Sequence, residues 1–144
     1  MVSAEFFTTP GYGDGQRREF HYSQAARYGN RVETAGQGGW DDDWRFPEAL
    51  RDEIIQAFDN VQRTLESAGA SWRDVVSVHS YHVPVGGGSI GSVHLDTMVE
   101  QFRLRMGDRA PLWTAIGVAA LGDPQMRVEI QVNAIIDDVV GGSE

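Results

Sequence analysis

Apolar and polar positions along this chain follow two distinct periods. From residue 126 to 136 the period is two. Met126, Val128, Ile130, Val132 and Ala134 fall on one side, and Arg127, Glu129, Gln131 and Asn133 on the other. This predicts a strand with one apolar and one polar face. Between Pro47 and Gly69 the spacing changes to three and four, through Leu50, Ile54, Ala57, Phe58, Val61, Leu65 and Ala68. This predicts a helix with one buried stripe, Pro47 in its first turn and Gly69 at its stop. Val93, Met98, Val99, Phe102 and Met106 mark a second helix that stops near Gly107. Residues 75–83, rich in valine and containing Tyr81, read as a strand, and so do residues 112–118. Two shorter strands, residues 19–28 and 30–35, meet at the turn pair Gly29-Asn30.

The predicted order is β-β-α-β-α-β-β. Elements of this number pack as an α+β sheet with two helices on one face. Residues 19–136 then form a single domain. Residues 1–18, with turn signals at Pro10-Gly11 and Gly13-Asp14-Gly15, read as an irregular arm. Residues 137–144 read as a flexible tail. The polar row on the last strand implies that the second face of the sheet is not another core. It is solvated, or it meets a polar interface and pocket between subunits.

Composition narrows the chemistry. A chain of 144 residues with 41% hydrophobic residues fits one globular domain. Its 12 basic residues, all arginine, face 21 acidic ones, for a net charge of −9. Nucleic-acid backbones and anionic membranes are bound by excess cation, so neither is an expected partner. The absence of lysine excludes Schiff-base and phosphate-loop lysines, and the absence of cysteine excludes thiolate nucleophiles and cysteine–zinc sites. No apolar run reaches membrane-spanning length. Met1 to Glu5 lack a signal-peptide pattern, so a cytoplasmic location is the expectation.

Candidate chemistry sits on the strands. His79 and His82 are three apart on one strand and point to opposite faces, so no shared metal is expected. His79 shares its face with Tyr81, and either one suits acid or base work. Glu129 is a carboxylate in mid-strand, where propensity disfavours it. It is either a satisfied interface group or a working group in a pocket. Asp41-Asp42-Asp43 reads as a solvated acidic loop ahead of a helix. Gly86-Gly87-Gly88-Ser89-Ile90-Gly91-Ser92 reads as a connector, because it lacks the lysine and the spacing of a phosphate loop.

Four stretches carry a resemblance. They are Tyr22-Ser23-Gln24-Ala25 with Gly29-Asn30 and Ala35-Gly36-Gln37-Gly38; Ala57-Phe58-Asp59-Asn60-Val61 with Leu65 and Ala68-Gly69-Ala70; Asp74-Val75-Val76; and Pro111 with Val118-Ala119-Ala120-Leu121 and Val128-Glu129-Ile130-Gln131-Val132-Asn133-Ala134. Together, over about residues 20–136, they resemble the Rid (reactive intermediate deaminase) family, also called YjgF-like or L-PSP-like. The resemblance implies a chorismate-mutase-like fold, a homotrimer with pockets between subunits, and hydrolysis of imines or enamines with no metal or organic cofactor.

Carried over residue by residue, it implies catalytic roles for Glu129, which would position the attacking water, and for Tyr22. It implies a backbone donor at Gly36. It also marks departures. The small polar residue before Gly36 is Ala35. The family's carboxylate-gripping arginine falls at Trp113, its frequent cysteine at Ala115, and its second-helix asparagine roughly at Asp96. Ala35, Gly36, Trp113, Ala115, Asp96, His79 and Tyr81 are therefore the expected substrate-binding set. Arg17, Arg18 and Arg109 are the arginines available to replace the missing one. Two readings follow: a divergent hydrolase of an imine, enamine or related small metabolite, and a noncatalytic trimer that binds a small molecule.

Overall fold

The computed structural model describes residues 3–137. Its frame is the helix α2 (Leu50–Ser67) lying against a six-stranded sheet. Ile54, Ala57, Phe58, Val61 and Leu65 are fully buried, as their spacing predicts. Each contributes roughly 1.5–3 kcal/mol by leaving water, except the smaller alanine. Asp52 and Glu53 occupy the first turn, where negative charge is favoured. Pro47 lies three residues ahead of the helix rather than in its first turn. The carbonyls of Pro47 and Glu48 are engaged by the Arg127 guanidinium, each at 3.1 Å, which holds this segment outside the helix.

The second long helix, α3 (Ser92–Met106), packs beside α2. Its buried face runs through His94, Met98, Phe102 and Met106, whereas Val93 is half exposed. Phe58, Trp72 and Phe102 form an aromatic cluster between the helices and the 3₁₀ turn at Trp72–Asp74.

The strands are β1 (Glu5–Phe7), β2 (Ala25–Tyr28), β3 (Arg31–Thr34), β4 (Val75–His82), β5 (Leu112–Gly117) and β6 (Val128–Ile135). They lie in the order β1-β2-β3-β6-β4-β5. Only β4 and β5 run parallel; the other neighbours are antiparallel. Val128, Ile130, Val132 and Ala134 face the helices and are fully buried. The register sets Glu129 opposite Tyr81, and Gln131 opposite His79, on the other, open face. Exposed apolar residues, among them Phe6, Leu112 and Ile116, stand on this face too.

The N-terminal region corrects the sequence reading. It is no irregular arm. β1 extends the sheet beyond β2, and a helix α1 (Tyr12–Phe20) follows. The strand expected over residues 19–28 is therefore only β2, since its first residues complete α1. Two glycines disfavour a helix on propensity, but a tertiary contact decides it. A Cβ on Gly13 would meet Thr8 and Thr9 at 3.1 Å, so glycine allows the helix to seat closely there. His21 ends the helix in the left-handed conformation, with φ 57° and ψ 48°. Of the expected tail, residues 138–144 lie outside the described residues. No described helix is long and apolar enough to cross a membrane.

Candidate functional site

Glu129 projects from the start of β6, where it is the second residue rather than a mid-strand one, onto the open face, and the chain folds so as to close around it. Gln37 exchanges both backbone hydrogen bonds with Ile130, at 2.8 and 2.9 Å, and so staples the 36–38 segment to β6. Gly36 is thereby pressed against Glu129, and a Cβ at this position would collide with the carboxylate. The Gln37 side chain donates to Gln24 at 2.8 Å and accepts from the Tyr12 hydroxyl. Tyr22, just beyond α1, donates to Gln16 at 3.1 Å. Burial raises the Glu129 carboxyl above its ordinary range. The Tyr22 hydroxyl is raised as well, first by burial and then by the Glu129 charge.

Two cavities meet at Tyr22. One, of about 720 Å³, lies over the open sheet face and includes Ala35, His79, Tyr81 and Arg17. The other, of about 730 Å³, lies between α1 and the 40–44 loop and holds Glu129. Tyr81 donates to Gln131 at 3.3 Å across the strands. Thus Glu129, Tyr22 and Gly36 come together, and Ala35, His79 and Tyr81 line the adjoining cavity that shares Tyr22.

We expect Gly36→Ala to fold and to lose activity. The added methyl has nowhere to go except into Glu129. A displacement of about 1 Å at a reacting group costs on the order of a hundredfold in rate, with about 1–3 kcal/mol of stability lost to overpacking. Turnover and a melting curve measured on the same preparation check this.

The remaining expected residues lie elsewhere. Trp113 and Ala115 are on the helix-facing side of β5, opposite Val78 and Ser80. Asp96 is exposed on α3. Within one chain, then, Trp113 does not share a face with Glu129. Strand alternation is the reason: Trp113 pairs with Val78, which points to the core, and its ring stands 5.2 Å from that of Phe102.

Its indole opens a hydrogen-bonded line. Trp113 Nε1 donates to Ser80 Oγ at 2.9 Å, Ser80 meets His82 Nε2 at 2.8 Å, and His82 Nδ1 meets His94 Nδ1 at 2.9 Å. His94 Nε2 reaches the Val83 carbonyl at 3.2 Å. A carbonyl only accepts, so His94 Nε2 carries a proton and its Nδ1 accepts. His82 then donates from Nδ1 and accepts from Ser80 at Nε2. Every group is satisfied with both imidazoles neutral. Burial, followed by the neighbouring His94, lowers His82 to about 4.

The consequence is acid sensitivity. The unfolded chain takes up this proton near pH 6.5 and the folded chain only near 4. The stabilisation is complete above about 6.5 and fades as pH falls to about 4, a loss on the order of 3 kcal/mol. Urea midpoints measured at pH 7.5 and 4.5 should separate, and His82→Gln should flatten the difference.

The sequence reading missed three features. Arg127 does not belong to the polar row of β6; it turns away to Glu53, with Nε at 2.7 Å and its backbone N–H at 2.8 Å from the carboxylate. The histidine pair joins residues from two elements and has no local signature. α1 contributes Gln16 and Arg17 to the site region; the four-residue spacing of Tyr12 and Gln16, both buried, was its one periodic signal. Of the three spare arginines, Arg17 and Arg18 line the two cavities. Arg109 is bound to the Val75 carbonyl instead. In the acidic loop Asp41 accepts from the backbone of Asp43 and Arg45, and Asp42 pairs with Arg63 of α2 at 3.0 Å.

Comparison with known proteins agrees with this architecture. Residues 16–136 match the family described as Endoribonuclease L-PSP. The chain is 28% identical to the RutC family protein YjgH of Escherichia coli K12, over 78% of its own length and 82% of the relative's. It is 32% identical to a 2-iminobutanoate/2-iminopropanoate deaminase of Dermatophagoides farinae, over 81% and 86%. A solved structure of protein YjgH superposes with a TM-score of 0.78, covering 94% of this chain and 98% of that one at 28% identity. The RidA structure from an Antarctic Psychrobacter gives 0.69, covering 80% and 88% at 29% identity.

Proposed function

We propose, since this chain belongs to the Endoribonuclease L-PSP (Rid/YjgF) family, that it hydrolyses an imine or enamine of a small metabolite. The observation that carries the reading is Glu129, a half-buried carboxyl with a raised pKa, pressed against Gly36 and beside Tyr22. A carboxyl raised by burial and set in a cavity is suited to proton transfer. The Glu129 carboxylate takes one proton from water as the water oxygen bonds to the carbon of the protonated imine and the C=N π pair moves to nitrogen. It returns that proton to the nitrogen, and as the C–N bond breaks it takes the proton of the new hydroxyl group, which passes to the departing ammonia, so that carbonyl product and ammonium leave. Tyr22 donates to the substrate, and the Gly36 backbone supplies a further donor.

A homotrimer belongs to the same proposal. Trp113, Ala115 and Asp96 stand across the sheet from Glu129, so a pocket that uses both groups is built from two protomers. The net charge of −9 supports a small-molecule substrate over a phosphate backbone.

The second reading, a noncatalytic ligand-binding trimer, is favoured by one observation. Trp113 takes the place of the family's arginine, and its indole is engaged with Ser80, so no guanidinium stands there to grip a carboxylate. An assay separates the two. Imines are generated in place by an amino-acid oxidase or an amine oxidase, and their capture as semicarbazone is followed. A hydrolase lowers the signal and releases ammonia; a binder leaves both unchanged.

A further inference from the structure

The cavity between α1 and the 40–44 loop has walls that the hydrolytic chemistry does not require. Trp40 and Trp44 stack with ring centroids 4.6 Å apart and planes 23° from parallel. Tyr12 meets Trp40 edge-on at 5.6 Å. Trp44 holds a left-handed backbone, φ 62°, that L side chains rarely adopt. Two ties keep it there: its backbone N–H donates to the Asp41 carbonyl at 3.1 Å, and its indole donates to Asp123 at 3.2 Å. A strained aromatic residue that tertiary bonds hold in the lining of a cavity points to recognition there.

Two further observations point to the ligand. Trp40 keeps 2% of its surface exposed, and its indole N–H has no acceptor among the described residues. A buried donor left unpaired is costly, and a ligand oxygen removes that cost. The charges around the cavity are mostly negative. Asp42 is paired with Arg63, and Glu19 with Arg18. Asp14, Asp123 and Glu129 have no cationic partner within ion-pairing distance among the described residues. Aromatic faces beside uncompensated carboxylates attract a cation and repel an anion.

We propose that this cavity binds a flat aromatic cation without a carboxylate: an aromatic amine, or the protonated imine derived from one, whose ring carries an oxygen that accepts from Trp40. The inference rests on the hydrolytic reading for the ligand's fate and not for its binding. On that reading, water adds to the protonated C=N carbon, the C–N bond breaks, and the aldehyde leaves with ammonium. The acceptor on the ring then distinguishes this site from one built for 2-imino acids, whose carboxylate these acidic groups oppose.

Calorimetry with stable probes tests the binding separately from turnover. Tyramine is compared with 3-(4-hydroxyphenyl)propanoate, which has the same ring and reach but carries a carboxylate. Phenethylamine lacks the ring oxygen. Tyramine should bind at least tenfold more tightly than the carboxylate at low salt and at least threefold more tightly than phenethylamine. Trp44→Asn, which tolerates the left-handed backbone, should weaken tyramine at least fivefold. Trp40→Phe, which keeps a ring and removes the N–H, should level tyramine with phenethylamine. Tighter binding of the carboxylate, or tyramine binding unchanged in Trp44→Asn, overturns the inference. Tyramine binding as stated in a protein that hydrolyses no imine upholds the inference while the hydrolytic reading fails.

Discussion

Glu129→Gln should lower imine hydrolysis by roughly 10²–10⁴-fold, the usual worth of a positioned acid–base group. Glutamine has nearly the same shape and keeps an acceptor beside Gly36, but it cannot take a proton from water. The fold should be intact, and the substitution should not destabilise it at neutral pH. Burial raises the Glu129 pKa, so the folded chain holds this proton more tightly than the unfolded chain. The group therefore favours folding most below its unfolded pKa, and that advantage is lost as pH rises through the folded value. Above the folded value the ionised carboxylate is a burden that glutamine removes, so the melting temperature there should hold or rise. The same shift places the acid limb of the wild-type pH–rate profile above the ordinary carboxyl value of 4.5. A rate that falls while the melting temperature holds or rises is not what a general folding defect produces. Equal turnover by wild-type and Glu129→Gln protein would remove Glu129 from the chemistry.

Glu53→Ala should destabilise the fold by about 3 kcal/mol, well beyond the loss of any exposed ion pair. Glu53 is fully buried on α2 and accepts both the backbone N–H and the guanidinium Nε of Arg127. Removing one member of a buried pair leaves the other charge uncompensated, at a cost of about 3–5 kcal/mol. The Arg127 side chain retains 31% exposure, so water recovers part of that and the lower end of the range applies. In a chain of this size that corresponds to a fall in melting temperature of about 10 °C. Arg127 precedes β6 and also ties down the Pro47 and Glu48 carbonyls, so its release loosens the chain two residues from Glu129. Glu53→Gln keeps the shape and one acceptor, and should lose less. Urea unfolding with an unchanged slope would identify the effect as a loss of stability rather than a change of compactness. A melting temperature unchanged in Glu53→Ala would show that the pair does not hold the fold together.

How far the chain discloses itself depends on how local each cause is. The α2 stripe through Ile54, Phe58, Val61 and Leu65, and the alternation of β6, are periodic over many residues. Their buried faces could be named from spacing alone. So could the shared face of His79 and Tyr81 and the opposite placement of His82, because a strand has only two sides. The motif residues Tyr22, Gly36 and Glu129 carried the family resemblance, and the structure brings these three together.

What spacing could not supply is every feature whose cause lies far along the chain. Gly13 and Gly15 argue against a helix, and α1 forms because Tyr12 and Gln16 find burial that only the folded chain offers. Arg127 looks like a member of the polar row until Glu53, on another element, draws it away. Trp113 aligns with a binding residue, but its strand register sends it under α3, toward Ser80 and the histidine pair. The unpaired Trp40 N–H and the strained Trp44 exist only once the 40–44 loop is folded against α1. Sequence therefore determined the elements, the apolar faces and the family, because these follow from local periodicity and contiguous motifs. Tertiary structure alone decided which polar groups are buried, paired or left facing a cavity, because hydrogen bonds and desolvation join residues that are distant along the chain.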